Sequence, residues 1–481
     1  MFRNLLFITG LLLTHAVVVA QNYHAVNGSS YAGSLGVGNN PASIVNTPFA
    51  WDIDIFSVQA KPATNTVTVH NYSFLSSPAK SEYRFDGGYY SRFAQANANV
   101  NLLNTRIALG RRAAIAAGIN IRNYTSLTSS PYNFIDTLKS ARAFFLMNNG
   151  NTDYSLEMTN SGWIELFGTY AQTIWDNDQN RLNAGATVRV SRGLAGAHAK
   201  LSSGKVESVI ENGQVSYILK DAAARYGYSA NFDNWKKAKG SSQNVRDFIN
   251  NSEGGASFDL GVEFLVKEYV HADFNDNEDR YYDYKWKIGV SLMDIGFNQY
   301  KHSLNSRRAS GFQGDVHDVD LDTKFKNLDG VRGFNDSLAT IVENMSTLSG
   351  NFNVINPARL VINVDRYLFD AFYVNADISI NLSPLAGDDR LYVRETNMIA
   401  VTPRWETRRL GFYMPILYNT EQQLRIGGAV KLGPVLFGIH NWATLFAKDR
   451  MQNGGGYLAF IVRAGRNSQA KRDRKLDCPP L

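Results

Sequence analysis

Along most of the chain, apolar and polar residues alternate one by one. In 181–191, Leu182, Ala184, Ala186, Val188 and Val190 fall on one face, and Arg181, Asn183, Thr187, Arg189 and Ser191 on the other. In 256–267, Ala256, Phe258, Leu260, Val262, Phe264 and Val266 oppose Ser257, Asp259, Glu263 and Lys267. In 284–292, Tyr284, Trp286, Ile288, Val290 and Leu292 oppose Lys285, Lys287 and Ser291. In 372–382, Phe372, Val374, Ala376, Ile378, Ile380 and Leu382 oppose Tyr373, Asn375, Asp377, Ser379 and Asn381. Similar segments lie near 51–60, 64–74, 107–122, 163–175, 391–401, 405–414, 423–432 and 456–463. Side chains along a strand point alternately to opposite faces, so each segment predicts a strand with one apolar and one polar side.

Three features favour a membrane barrel over a soluble sandwich. Many segments run past the common strand length of about five or six residues and are long enough to cross a bilayer at a tilt. Trp, Tyr or Phe sit near segment ends, as at Trp51, Trp163, Trp175, Trp286, Phe372 and Tyr457, where an aromatic girdle is expected. The polar faces carry mid-strand charges that a wet lumen tolerates and a packed apolar core does not. The fold class expected is therefore all-β: a closed antiparallel transmembrane β-barrel of about 14 strands, with 12 and 16 as the neighbouring even counts. Arg181, Arg189, Asp259, Glu263, Lys285, Lys287 and Asp377 are the lumen-facing candidates.

The alternation breaks in four places. Long inserts near 125–160, 221–253 and 301–355 are expected mostly outside the cell or folded over the lumen, with short helices near Phe134–Phe145 and from Asn335, as N-cap, to Leu348. The fourth, 271–282, is acidic, and its Asp273–Asp279 run lacks the Gly and closing Glu of a calcium loop. Pro384, Gly387, Pro403 and Gly433-Pro434 are expected to end strands. Residues 1–20 read as a Sec signal peptide, cleaved before Gln21. The barrel is expected over 51–466, with a disordered polar tail at 467–481.

Composition narrows the chemistry. One Cys, Cys478, excludes a disulfide framework. His70, His198, His271, His302, His317 and His440 are scattered, with no metal or triad spacing. No cofactor fingerprint or nucleophile elbow occurs, so no enzyme and no cofactor is expected. A net charge of +6 does not argue for nucleic acid.

Residues 34–56, SLGVGNNPASIVNTPFAWDIDIF, resemble the start of the FadL-like (TodX-type) outer-membrane transporters. Asn40, Pro41 and Ala42 match that family's Asn-Pro-Ala motif. Four further pieces resemble Bacteroidetes outer-membrane barrels without assigned function: Gly193-Leu194-Ala195 with AHAKLSSGKVES at 197–208, then 258–267, 288–300 and 356–368. The resemblance implies that residues 21–50 plug the barrel, with Asn39, Asn40, Pro41 and Ala42 as the plug motif. It also implies passive passage of a small hydrophobic or amphiphilic solute. The alternative is a structural or adaptor barrel in a cell-surface, gliding or type IX secretion assembly. The residues alone leave an ordinary turn before the first strand open as well. Either function implies Sec export, the barrel-assembly machinery and the outer-membrane bilayer as partners.

Overall fold

The computed structural model describes residues 23–463 except 74–77, 136–139, 151–152, 212–213, 237–238, 268–283, 314–316, 327 and 447–449. The signal peptide, the acidic 271–282 stretch and the tail with Cys478 lie outside the described residues.

Fourteen strands follow one another around a closed ring. They are β1 (Trp51–Thr64), β2 (Phe93–Ala108), β3 (Ala113–Ser129), β4 (Tyr154–Asp176), β5 (Asn180–Glu211), β6 (Gly254–Val266) and β7 (Trp286–Lys301). Then come β8 (Arg359–Phe369), β9 (Phe372–Asn381), β10 (Met398–Glu406), β11 (Leu410–Tyr413 and Ile416–Asn419), β12 (Leu424–Ile426 and Gly428–Leu432), β13 (Val435–Ile439) and β14 (Gly456–Arg463). Each pairs antiparallel with the next, and β14 returns to β1 with Asp52 opposite Arg463. Closure leaves no strand edge unpaired in the ring, the condition for burying strands in hydrocarbon.

The alternation separates outside from inside. Phe258, Leu260 and Val262 stand exposed on the outer wall, whereas Asp259 and Glu263 are buried within. Ile288, Val290, Ile378, Ile380, Phe412, Phe437 and Phe460 extend the apolar exterior around the ring. Trp51, Trp175, Trp286 and Phe372 mark one rim of that band, as expected of a girdle. Trp163 and Tyr457 correct the expectation: both point inward and are fully buried. Trp163 stacks on Tyr124 at 5.6 Å, and its ring N–H donates to Glu165 at 2.6 Å. Each shares strand parity with lumen residues, so its ring turns away from lipid.

Turns at the girdle rim are short: 109–112, 177–179, 370–371, 407–409 and 433–434. The first strand of the ring also begins, and the last ends, at that rim. Strand β6 likewise ends, and β7 begins, at this rim, while the other long connections start and finish at the opposite end. Barrels of this type keep short turns in the periplasm and long loops outside, which orients the molecule. Outside, β5 overshoots the ring and pairs with strands 214–220 and 223–228. Strands 307–312 and 342–347 continue that layer. Helices α1 (Ala141–Asn148), α3 (Asp318–Lys324) and α4 (Gly330–Ala339) pack on it through Phe145, Tyr217, Leu321, Phe325 and Leu338; α2 is Ser241–Asn250.

Several boundaries differ from the pattern. The helix expected over 335–348 begins at Gly330 and ends at Ala339, because 342–347 is claimed by pairing with 307–312. Asn335 lies inside α4, where it accepts from the Tyr226 hydroxyl at 2.6 Å. The segment 405–414 is two strand ends and a turn. Pro403 sits within β10 where β11 breaks before Pro415, so the N–H it lacks meets no ladder partner. β2 shows little contrast in the sequence, because its inner face is built from Asn97, Asn99, Asn101 and Asn104 and much of its outer face from Ala.

Candidate functional site in the lumen

Residues 23–50 lie inside the ring, almost wholly buried, as three turns of 3-10 helix: His24–Val26, Gly33–Gly38 and Pro41–Val45. The last turn follows from its sequence. Extended Asn40 caps it by accepting from the Ala42 N–H at 2.9 Å, and Pro41 fills the first helical position, where no N–H is needed. Asn40 also donates to the Val262 carbonyl at 2.9 Å, and Ser291 donates to the Asn39 carbonyl at 2.7 Å.

The wall under this turn is bare of side chains. Gly185 on β5 opposes Gly261 on β6 directly. A Cβ on Gly185 would lie 2.7 Å from the Ala42 nitrogen and the Pro41 carbonyl carbon, and one on Gly261 would run into the Asn40 amide. Glycine in a strand interior marks such a close approach. Gly185→Val is therefore expected to keep the barrel and dislodge the segment. Chymotrypsin should then cut at Tyr31 and Phe49 in folded protein at least about tenfold faster than in the native chain, since the cut tracks the open population. Unchanged protection would mean that the wall, not the segment, gives way.

Charged wall residues hold the segment mainly by its backbone. Arg106 donates to the carbonyls of Ile44 (2.7 Å) and Phe49 (2.5 Å), and Arg359 to that of Gly38 (2.7 Å). Asp52 accepts from the Ser34 N–H at 2.6 Å. Side-chain bonds join Asn27 to Asp377 and Ser29 to Glu406, both at 2.6 Å, and Lys287 to Ser30 at 3.3 Å. The cavity beside the segment is about 20 Å³, room for one water.

A second stretch enters from the outer side. Residues 391–397 are not a barrel strand: Leu391–Tyr392 pair in parallel with Val354–Ile355, and the chain then dips inward. Buried Glu395 meets Lys61 at 3.0 Å and Arg359 at 3.4 Å. Arg359 thus touches both intruding stretches. Around it lies a balanced buried network. Arg122 pairs with Asp294 (2.5 Å) and Glu165 (3.6 Å), and Arg189 pairs with Glu165 (3.3 Å) and Asp259. Lys61, Arg122, Arg189 and Arg359 face Glu165, Asp259, Asp294 and Glu395.

Of the residues singled out from sequence, Asn39, Asn40, Pro41 and Ala42 meet the wall as described. Arg189, Asp259, Glu263, Lys287 and Asp377 are buried on the inner face. Arg181 is half-buried at the short-turn rim, between Asp176 and Asn46. Lys285 is exposed at the same rim. Strand β7 begins only at Trp286, and before it Tyr284 turns inward to bond Asp365, so the alternation does not extend back to Lys285. Sequence reasoning missed Arg106, Arg359, Asp294, Gly185 and Gly261. The glycines on a polar strand face carried a readable signal, whereas Asp294 carried a misleading one. Continuing the alternation from Tyr284 would place it on the lipid side, but a left-handed turn at φ 60° and a register shift against β6 aim its carboxylate inward.

A closed, even-stranded barrel with an apolar exterior and a polar interior is the construction of bacterial outer-membrane barrel proteins. Within that class, the chain belongs to the family of unknown function DUF5723, whose pattern matches residues 41–440. No curated protein matches it. Among solved structures it is similar to the Ralstonia pickettii toluene transporter TbuX: 10% identity, TM-score 0.37, covering 90% of this chain and 94% of that one. A Pseudomonas aeruginosa FadL homologue gives 10% identity and TM-score 0.38, over 93% and 98%. The monoaromatic hydrocarbon channel TodX, as its deltaS2S3 mutant, gives 9% and 0.35, over 89% and 93%.

Proposed function

We propose that this barrel is an outer-membrane conduit for passive entry of a small amphiphilic solute. In this reading residues 23–50 are a plug on the periplasmic side and 391–395 a stopper on the outer side. The carrying observation is that both stretches rest in the lumen on hydrogen bonds and ion pairs to the wall, several of them to backbone carbonyls. Such contacts break and reform without covalent change. The inner wall bears Asn, Arg, Asp and Glu, so an amphiphile with a polar group finds partners along the path that a bare hydrocarbon does not.

The test is uptake into proteoliposomes of an aromatic hydrocarbon, an amphiphile of similar size and a sugar, with native protein and with Gly185→Val. The amphiphile is expected to enter faster than in protein-free vesicles, and faster still with the variant. If the variant shows a protease-accessible segment and still passes none of the three, the conduit reading fails. The adaptor barrel then stands, supported by the outer layer of strands and helices with its own apolar core.

A further inference from the structure

At the outer mouth a cavity of about 320 Å³ lies between the inner faces of β4, β5 and the 223–228 and 307–312 strands and, opposite them, residues 388–391. Its wall carries a row of register-matched residues. Glu157 opposes Lys200, Lys200 opposes Arg225, and Arg225 opposes Arg308. Directly opposed residues place their Cβ atoms about 5 Å apart, and like charges so placed repel. Three cations therefore stand side by side on three strands, and Arg390 adds a fourth from across the cavity.

The carboxylates nearby form no ion pair with them among the described residues. Glu157 is taken by Arg394 at 3.3 Å. Asp388 and Asp389 are exposed and make no ion pair among the described residues; Lys200 reaches only the Asp388 carbonyl, at 3.3 Å. Arg225 and Arg308 have neither a hydrogen-bond nor an ion-pair partner for their guanidinium groups among the described residues. The Arg225 Nε is shut off from solvent and meets no acceptor among the described residues. Burial and the neighbouring Arg308 pull the Arg225 guanidinium below its ordinary range. Below the row, His198 and His302 are pushed down to about 3 and about 4 by burial and by Arg225, so both are neutral at pH 7. His302 stacks on Phe352 at 4.5 Å, which makes this layer a floor rather than further charge.

We propose that this vestibule binds a small, multiply charged oxyanion of the phosphate or phosphate-ester class, held between Lys200, Arg225 and Arg308. A guanidinium fork matches two oxygens of a phosphate, and two forks and an ammonium in one row suit a dianion better than a single carboxylate. Such an anion restores the acceptor that Arg225 lacks and removes the repulsion across the three strands. The site adjoins the outer stretch through Leu391, so the test reads anion binding itself rather than conduction.

The test is calorimetric titration of the purified full chain, in neutral detergent at low salt, with pyrophosphate, inorganic phosphate and acetate. Pyrophosphate should bind more tightly than phosphate, acetate least, and added salt should weaken all three. Arg225→Gln and Arg308→Gln should each weaken pyrophosphate at least about tenfold, whereas Arg84→Gln, on the exposed 82–85 strand, should not. Heat-modifiable gel mobility shows which variants are folded. A parallel arm with phosphatidic-acid vesicles separates sources: loss by the variants in solution alone assigns a free solute, and loss on vesicles too assigns a lipid phosphate. Absence of pyrophosphate binding to the native protein, or native-like binding by a folded Arg225→Gln/Arg308→Gln protein, overturns the proposal.

Discussion

Removing residues 23–50 together with Glu395→Gln is expected to turn a sealed barrel into an open pore. At least six bonds join the segment to the wall, from Arg106, Arg359, Asp52, Asp377, Glu406 and Ser291. At roughly 1 kcal/mol each, they hold the displaced state below about one molecule in 10⁴. Deletion abolishes that constraint, but Glu395 still ties the outer stretch to Lys61 and Arg359. Either change alone should therefore leave brief openings, and the two together should raise mean conductance by at least about a hundredfold in planar bilayers. Closure of the ring does not depend on either stretch, so the doubly changed protein should keep heat-modifiable mobility. A folded protein of this kind that conducts no more than the native chain would show that the lumen is filled by its own wall.

Replacing Arg189 with Leu should be the most destabilising single change in the wall. Its guanidinium is fully buried between Glu165 and Asp259, and Asp294 lies 3.8 Å away. Leucine leaves those carboxylates without their counter-charge in a closed interior, and breaking a buried pair from one side costs about 3–5 kcal/mol. The expected result is a clear fall in the urea midpoint with the slope unchanged. Arg189→Leu/Asp259→Leu should recover part of the loss, because it removes both members of the shortest pair. A single variant within about 0.5 kcal/mol of the native chain would show that water already screens the network.

Much of this architecture was legible from residue order because a strand has period two. Leu182–Val190 against Arg181–Ser191 and Phe258–Val262 against Asp259–Glu263 state which side meets lipid before any pairing is known. The Asn-Pro-Ala motif was legible for a related reason: an Asn cap followed by Pro is a local device that needs no distant partner. Strands with weak contrast were hidden, as β2 shows with its row of asparagines. So was 391–397, which alternates like a strand but is drawn inward by the pairing of Glu395 with Lys61 and Arg359.

By itself, then, the sequence determined the barrel, its apolar girdle rim and the charged character of its interior, since these follow from alternation along one strand at a time. The tertiary structure decided which charges meet: the bulge that turns Asp294 inward, the paired glycines under Pro41, and the alignment of Lys200, Arg225 and Arg308. Each depends on register between strands far apart in the chain, and a one-residue shift of register would send the same side chains to the opposite face.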